Sequence, residues 1–274
     1  MAATGLRLDQ WLVAHGYAET RNRAQWLIET GQVWVRGRPC RKPALVLPAA
    51  GQVEIRGAGL PYVSRGGLKL ECALQTFGVD VTGFVALDVG ASTGGFTDCI
   101  LQRGAQRVYA LDVGNEQLAP RLRKDPRVIP LEGRNIRMFQ AVDLPEAVDL
   151  ITVDLSFISL RLVLPRLPPF LRPRGRVVAL VKPQFEVGAK HVGRGGIVHD
   201  PHQRELALHS VIKVAVEAGF RIIQTTKASG SRPSGNQEVF LDLDRAAEDA
   251  VVAAWYSPID VRNTSPRNDG GERG

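Results

Sequence analysis

The stretch 84–112, reading FVALDVGASTGGFTDCILQRGAQRVYALD, constrains the fold more than any other part of the chain. Residues 84–89 are a short apolar run with one acid, residues 90–95 are a glycine-rich turn, and residues 96–103 resume a helical pattern. Residues 107–111 are again strand-like and end at an acid. This order predicts a strand, a turn, a helix and a second strand in a doubly wound α/β sheet. Such a unit directs backbone N–H groups and a helix N-terminus towards a ligand at the carboxyl edge of the sheet.

The spacing within this turn indicates its ligand. The dinucleotide pattern G-x-G-x-x-G does not fit its register. The pattern acid-x-G-x-G-x-G of S-adenosylmethionine-dependent methyltransferases fits Asp88, Gly90 and Gly94, with Ser92 at the middle glycine. The amino-acid end of this methyl donor carries an ammonium and a carboxylate, which suit an acid and free N–H groups, and Asp112 can accept from both ribose hydroxyls. A glycine turn of another kind of α/β protein is the alternative.

Composition limits the size and the partners of the protein. The 274 residues, 44% of them hydrophobic, are enough for one full α/β domain and a smaller one. The net charge of +7 suggests a polyanionic partner, although an excess of this size also serves solubility. Residues 1–66 hold nine Lys or Arg against four acids, so most of the excess is N-terminal.

Cysteines and histidines give no sign of a metal site or a disulfide framework. Cys40, Cys72 and Cys99 are odd in number and far apart, which fits a reducing cytoplasm, and the five histidines lack metal-ligand spacing. We expect no metal. The most apolar later stretch, 160–171, is broken by arginines and prolines, so we expect no membrane association.

The N-terminal segment predicts a small basic module. Residues 6–16 and 20–31 have the pattern of two short helices, with Thr20 as an N-cap, Gly31 just past the second helix, and two alternating runs after it. Arg21 and Arg23 are expected side by side on the exposed face. The segments LRLDQWL, TRNRAQWLIETGQVWVRG and GQVEI resemble the S-four-type RNA-binding domain, with Arg36 at the usual asparagine of the turn.

Guanidinium groups in such a module would pair with phosphates and stack on unpaired bases. A solvated charged face is the alternative. The residues expected to contact RNA are Arg7, Arg21, Arg23, Arg36, Arg38, Arg41, Lys42 and Arg65.

Two ionisable residues end buried strands in the second half of the chain. Residues 148–153 stop at Asp154, and residues 176–181 stop at Lys182. Either side chain would be costly inside the protein without a partner, so we expect both at the edge that holds the glycine turn. A purely structural ion pair is the alternative.

The remaining elements follow from similar patterns. We expect helices at 64–78, 115–124, 201–218 and 245–256, and strands at 128–131, 220–226 and 237–243. The expected domains are 1–56 for RNA binding, a linker at 57–63, a methyltransferase domain at 64–256, and a disordered tail at 257–274.

The motifs GASTGGF, VDLSFISL, VKPQFEVG, GGIVHDP and SGNQE, behind an S-four-type module, resemble the TlyA family of haemolysin A-like ribosomal RNA methyltransferases related to FtsJ. The resemblance implies a class I methyltransferase fold with seven strands, the last antiparallel, and 2′-O-methylation of cytidine in ribosomal RNA or ribosomal subunits. It implies a catalytic tetrad of Lys69, Asp154, Lys182 and Glu238, with Lys182 nearest the hydroxyl. Arg232 stands where relatives have a smaller or apolar residue.

The full set of residues expected to bind S-adenosylmethionine is Asp88, Gly90, Ala91, Ser92, Gly94, Gly95, Phe96, Asp112, Val113, Asn135 and Asp154. Two other functions compete with this one: a membrane-lytic haemolysin, and a non-catalytic RNA-binding protein of ribosome assembly. Methylation of a base is disfavoured because LSF, rather than two prolines and an aromatic residue, follows Asp154.

Overall fold

The computed structural model describes residues 5–18, 21–48, 52–57, 60–229 and 235–245, with the side chain of Asn22 left out. The predicted cap at Thr20, the departure at Arg232, the closing helix beyond 245 and the tail at 257–274 lie outside these residues.

The N-terminal module consists of two helices and two small sheets. Its elements are β1 (Leu6–Arg7), α1 (Leu8–Ala14), α2 (Arg21–Glu29), β2 (Val33–Val35), β3 (Arg38–Pro39), β4 (Val46–Leu47) and β5 (Val53–Ile55). Strands β3, β2 and β5 form one antiparallel sheet, and β1 pairs with β4. This pairing makes the first helix begin at Leu8 rather than at residue 6. Leu8, Leu12, Leu27 and Ile28 are fully or almost fully buried between the helices and the sheets.

Arg36 and Gly37 form the two-residue turn between β2 and β3. Arg36 has φ of 50° and Gly37 has φ of 72°. A two-residue hairpin turn of type I′ requires positive φ at both positions, because this twist matches that of the flanking strands. Arginine tolerates the left-handed conformation less well than asparagine does. The turn therefore places a cationic side chain at the tip of the hairpin at some cost in free energy.

The larger part of the structure is a seven-stranded sheet with helices on both faces. Its elements are α3 (Arg65–Phe77), β6 (Val85–Val89), α4 (Gly95–Gln102), β7 (Arg107–Leu111), α5 (Pro120–Arg123), β8 (Val128–Leu131), β9 (Val148–Val153), β10 (Leu171–Val181), α6 (Pro183–Glu186), α7 (Pro201–Glu217), β11 (Phe220–Lys227) and β12 (Val239–Arg245). Short 3-10 turns lie at Ala141–Asp143, Leu160–Leu162, Leu164–Arg166, Pro168–Phe170, Ala189–His191 and Arg194–Gly196.

The strand order in this sheet is β11-β12-β10-β9-β6-β7-β8. Strands β6 to β10 are all parallel to one another, and β12 is antiparallel to both β10 and β11. Parallel neighbours end at one edge, so the residues after β6, β7, β9 and β10 meet there. The start of β12 lies at the same edge because β12 runs the other way. The predicted seven-stranded fold with an antiparallel last strand is confirmed.

Alternate residues of the strands bury both faces of the sheet. Val85, Leu87 and Val89 belong to one core, and Ala86 lies in the other, with the whole of β6 buried. Strands covered on both sides read as apolar runs rather than as alternating ones, as residues 150–153 of β9 and 177–181 of β10 do.

One sequence expectation needs correction. The helix expected at 115–124 is reduced to α5, since Glu116 adopts a positive φ of 56° and a helix cannot pass through it. In the second half of the expected linker, Leu60 and Tyr62 are buried, and the Tyr62 hydroxyl donates to Glu71 at 2.9 Å. Ser64 precedes α3 in extended conformation, and its side chain makes no capping hydrogen bond.

Candidate active site

A cavity of about 710 Å³ opens at the carboxyl edge of the sheet. Its wall is formed by the turn after β6, the ends of β9 and β10, the first turns of α3, the segment before β12, and α2 of the N-terminal module. The polar residues of the wall include Arg23, Arg65, Lys69, Ser92, Thr93, Asp154, Ser156, Lys182, Gln184, Asn236 and Glu238. All four residues of the expected tetrad therefore line one cavity.

The tetrad forms two ion pairs. Lys69 Nζ lies 2.5 Å from Glu238 Oε2, and Lys182 Nζ lies 2.7 Å from Asp154 Oδ1. Lys182 also donates to Ser156 Oγ at 3.2 Å. The four side chains are 12 to 23% exposed, so each is partly desolvated yet open to a ligand. Residues separated by 169 positions in the chain meet here because β12 is antiparallel.

The glycines of the turn are required by the protein's own packing. Gly90 has φ of 88°, and a Cβ on it would lie 2.5 Å from the carbonyl oxygen of Asp154. A Cβ on Gly94 would collide with Leu118 and Leu122, and one on Gly95 with Ser64. Only a chain without side chains at these positions brings the turn this close to the end of β9, to α5 and to the start of α3. Ala91, Ser92 and Thr93 are left to face the cavity.

Asp88, near the end of β6, ties this turn to α4 and β9 by hydrogen bonds. Its side chain is fully buried and accepts hydrogen bonds from Thr97 N at 2.9 Å, Thr97 Oγ1 at 2.7 Å and Thr152 Oγ1 at 2.9 Å. Burial raises the pKa of Asp88 to about 6, although the hydrogen bonds from the threonines oppose that rise. The direct contact with the donor expected for Asp88 is therefore corrected to a positioning contact, because no surface of this carboxylate reaches the cavity.

The raised pKa makes a prediction about stability. The folded protein binds the Asp88 proton more tightly than the unfolded chain, whose aspartate pKa is about 3.9. The contribution of Asp88 to stability is thus greatest below about pH 4 and falls as the pH rises to about 6. Relative to Asp88→Asn, the wild-type free energy of unfolding should fall by roughly 2 kcal/mol between pH 4 and pH 7. Urea unfolding at pH 4 and pH 7 measures it, and parallel pH profiles would contradict it.

The residues expected around adenosine lie beside the cavity rather than in it. Asp112 is half-buried and accepts from Ser92 N at 2.8 Å and Gly114 N at 2.7 Å. Each carboxylate oxygen has a second lone pair, so Asp112 retains acceptor capacity for ribose hydroxyls. Val113 is 64% exposed, and the exposed Asn135 accepts from Arg137 N at 3.0 Å. S-adenosylmethionine bound in this site would extend from Ser92 onto an open surface.

We expect Asp112→Ala to weaken binding of S-adenosylmethionine by roughly 10- to 100-fold, because each hydrogen bond to a charged group contributes about 1.5 to 3 kcal/mol. Isothermal titration calorimetry measures this affinity. Asp125→Ala is the matched control, since Asp125 is an aspartate of the same domain that pairs with Arg127 at 2.7 Å. Equal affinities of the wild type and Asp112→Ala would rule out the ribose contact.

Two buried acceptor atoms of the wall have no hydrogen-bond donor among the described residues. They are Asp154 Oδ1 and Gln184 Oε1. The contact of Asp154 Oδ1 with Lys182 is close enough for an ion pair, but its geometry does not align a hydrogen bond. Buried acceptors normally have partners, so Gln184 Oε1 is suited to a ligand that brings a hydrogen-bond donor, whereas Asp154 Oδ1 already has the ammonium of Lys182 beside it. The ammonium and the ribose hydroxyls of S-adenosylmethionine meet this requirement.

Six of the basic residues of the N-terminal module fall into two groups. Arg36, Arg38, Arg41 and Lys42 are exposed and pair with no carboxylate of the described residues. Arg7 and Arg21 instead hold the fully buried Asp9, at 3.1 and 3.0 Å, and these contacts, with Gln25, hold its pKa far below its usual value.

Arg21 and Arg23 were expected side by side on the exposed face of the second helix, but only Arg21 is exposed. Arg21 turns back to Asp9, whereas Arg23 is half-buried and donates to the carbonyl oxygens of Leu60 and Tyr62 at 3.4 and 3.3 Å. Arg65 lies 3.7 Å from Glu29. Arg23 and Arg65 therefore join the module to the wall of the cavity.

Phe157 is the main residue that the sequence interpretation missed. It follows Asp154 and Ser156, is 91% exposed with φ of 65°, and stacks at a tilt on Phe185 with 5.2 Å between ring centres. An exposed aromatic ring in a left-handed conformation is costly and is typical of a functional position. The only signal in the sequence was a phenylalanine between Ser156 and Ile158, just after the strand that ends at Asp154.

Other kinds of site leave no trace in the residues that the structure describes. Within the described ranges, no three His, Cys, Asp or Glu side chains are grouped as metal ligands. None of the helices seen there is both long and apolar enough to cross a membrane.

Comparison with known proteins places the chain among methyltransferases. The model of the FtsJ-like methyltransferase family matches residues 62–245, and the S4 domain model matches residues 6–52. The 16S/23S rRNA (cytidine-2′-O)-methyltransferase TlyA of Mycobacterium tuberculosis (strain ATCC 25618 / H37Rv) is 44% identical over 90% of this chain and 92% of that protein. Hemolysin A of Brachyspira hyodysenteriae is 39% identical over 85% and 97% of the two chains.

Solved structures agree with these matches. The structure of a Streptococcus thermophilus protein described as a candidate hemolysin superposes with a TM-score of 0.71 at 40% identity, over 89% of this chain and 90% of that one. An S-adenosylmethionine-dependent methyltransferase from Mesorhizobium loti shares the fold, with a TM-score of 0.50 at 16% identity over 64% and 96% of the two chains. From its sequence, its sheet and these relatives, the chain belongs to the FtsJ-like methyltransferase family and carries an S4 domain in front of the methyltransferase fold.

Proposed function

We propose that the protein transfers a methyl group from S-adenosylmethionine to the 2′-hydroxyl of cytidine in ribosomal RNA, and that its N-terminal module, residues 1–56, docks the RNA. The observation that carries this proposal is the convergence of two lysine and acid pairs on one cavity beside the glycine turn. The relatives named as rRNA (cytidine-2′-O)-methyltransferases support the choice of substrate. The reaction would take place in the cytoplasm, where ribosomal subunits are assembled.

When bound, S-adenosylmethionine supplies a methyl group already activated by its sulfonium. The protein must then align the ribose hydroxyl and manage its proton. Positioning of two reactants contributes roughly 7 to 11 kcal/mol in favourable cases, and a general base adds about 10² to 10⁴ in rate. The first of these effects should dominate, because a wall of fixed side chains surrounds the cavity.

Each member of the tetrad has a role that follows from its contacts. Lys182 orients the 2′-hydroxyl and, as the neutral amine, accepts its proton; Asp154, 2.7 Å away, orients Lys182 and balances the ammonium that results. Lys69 and Glu238, which form the other ion pair, hold the ribose. Ser92 and Thr93 bind the amino-acid end of the donor, and Asp112 binds its ribose. Phe157 offers an exposed ring on which an unpaired base can stack.

Mapping of ribose methylation on ribosomal RNA tests this proposal. RNA from cells with and without the protein is hydrolysed in alkali, which cannot cleave beside a methylated ribose. We expect protection at one or more cytidines that is lost without the protein and restored by the wild-type chain. Identical maps would refute the proposal.

The relative named Hemolysin A keeps a membrane-lytic function as the second candidate. Leakage of a dye from liposomes at micromolar protein distinguishes the two functions. The methyltransferase proposal predicts no leakage above that from an equal concentration of an unrelated basic protein.

A further inference from the structure

Glu186 is a buried carboxylate that none of the proposed catalytic steps uses. It ends α6, the short helix that begins directly after Lys182, and its side chain is only 1% exposed. Burying a charged carboxylate is costly unless hydrogen bonds and a counter-charge compensate for it. Its partners therefore indicate what its burial achieves.

Every side-chain contact of Glu186 is made to the loop that follows β9. Its Oε2 accepts from Ser159 Oγ at 2.5 Å, and its Oε1 accepts from Leu160 N at 2.8 Å. Arg161 completes the contact, with Nε 3.5 Å from the carboxylate and Nη2 donating to the carbonyl oxygen of Glu186 at 3.1 Å. The same loop carries Asp154, Ser156 and Phe157.

Glu186 is the last of three links between this loop and the segment 182–186. Lys182 contacts Asp154 and Ser156 at one end, and the ring of Phe185 packs against that of Phe157 at a tilt of 50° in the middle. The side chain of Glu186 is 1% exposed, whereas those of Lys182 and Asp154 are 12 and 23% exposed and Phe157 is 91% exposed. The positions of Ser156 and Phe157 relative to Lys182 thus depend on the link whose carboxylate is the most deeply buried.

The backbone of the loop needs such a restraint. Phe157 adopts a left-handed conformation, which is unfavourable for an aromatic residue, and its ring is too exposed for burial to hold it there. A conformation of this kind persists only when the surrounding structure fixes it. Leu160, which is buried, and the hydrogen bonds to Glu186 fix the chain three residues later.

We infer that Glu186 is a positioning residue, which sets the distance between Lys182 and the loop carrying Asp154, Ser156 and Phe157. This role rests on the proposed methyl transfer. A misplacement of about 1 Å between reacting groups can cost on the order of 10² in rate. Loss of Glu186 should therefore lower turnover at saturating substrates while leaving the glycine turn, and with it the binding of the donor, intact.

The test compares Glu186→Ala and Glu186→Gln with the matched control Asp149→Asn. Asp149 is also a carboxylate that ties a backbone N–H, that of Val85, to an arginine, Arg172, but it lies at the start of β9, at the opposite edge of the sheet. All three variants lose a structural carboxylate. Only the Glu186 variants alter the loop beside Lys182.

We expect Glu186→Ala to lower kcat by roughly 10- to 100-fold, with the affinity for S-adenosylmethionine within about threefold of the wild type. Glu186→Gln should lose less, since its amide oxygen still accepts from Leu160 N. Asp149→Asn should keep the wild-type kcat per folded molecule. The inference would be overturned if Glu186→Ala, like Asp149→Asn, kept the wild-type kcat per folded molecule and lost activity only because less of it is folded.

Hydrogen exchange gives a readout that does not need catalysis. Exchange of the peptide covering residues 154–161 should be faster in Glu186→Ala than in Asp149→Asn or the wild type. Unchanged exchange would overturn the inference whatever the activity. The two claims can fail separately. If the wild type transferred no methyl group but Glu186→Ala still exchanged faster, the proposed function would be refuted, and the restraint of the loop by Glu186 would stand.

Discussion

Lys182→Ala should abolish methyl transfer, with a loss of about 10² to 10⁴ in rate, while the affinity for S-adenosylmethionine stays within a few-fold of the wild type. The reason is geometric. Lys182 contacts Asp154 and Ser156 in the wall of the cavity, and among the described residues it makes no hydrogen bond or ion pair with the glycine turn. Single-turnover kinetics with saturating donor and RNA measures the first effect, and calorimetry measures the second.

Two further variants make this experiment decisive. Lys213→Ala removes a lysine that is 71% exposed on α7 and should leave turnover unchanged. Lys182→Arg retains the charge but cannot accept a proton at neutral pH, since an arginine side chain stays protonated. Activity in Lys182→Arg would limit the role of Lys182 to orientation, whereas undiminished turnover in Lys182→Ala would remove it from the mechanism.

The second large effect concerns RNA binding. Neutralising the exposed cations of the N-terminal module should lower the affinity for RNA by a factor comparable to the rate loss in Lys182→Ala. The variant replaces Arg38, Arg41 and Lys42 by alanine and Arg36 by asparagine, which tolerates the positive φ of that position. Each phosphate contact contributes about 0.7 to the slope of log affinity against log salt on single strands, so four contacts contribute about 3. Near 0.1 M salt the affinity should fall on the order of 10²- to 10³-fold.

The control removes the same number of charges from the methyltransferase fold, at positions where each cation faces a carboxylate. These positions are Arg123, Arg127, Lys213 and Arg221. We expect a much smaller change of slope from them. Equal slopes of the wild type and the N-terminal variant, measured by filter binding from 50 to 300 mM salt, would exclude the module as the RNA dock.

The sheet and half of the tetrad followed from physical regularities in the sequence. Asp154 and Lys182 end buried parallel strands, and parallel strands share an edge, so their meeting was predictable without a structure. Lys69 and Glu238 were not predictable in this way. Their pairing depends on the reversal of β12 and on the approach of α3, and only the resemblance to known methyltransferases indicated it.

Other details depend on interactions that a pattern does not record. The first turn of α2 contains two arginines with different partners. Arg21 pairs with the buried Asp9, and Arg23 joins the N-terminal module to the methyltransferase fold. Asp88 fits a sequence pattern for contact with the donor, yet its partners, Thr97 and Thr152, enclose it completely. Phe157 resembles a core residue by its type and is the most exposed of the large hydrophobic side chains among the described residues.

The most direct test of the central claim is the chemical position of the transferred methyl group. Ribosomal RNA or subunits are incubated with the protein and S-adenosylmethionine bearing a deuterated methyl group, then digested to nucleosides and analysed by mass spectrometry. The arrangement of Lys69, Asp154, Lys182 and Glu238 predicts that the label appears in 2′-O-methylcytidine and is absent with Lys182→Ala. Label on a base, or equal label on the ribose with Lys182→Ala, would contradict it.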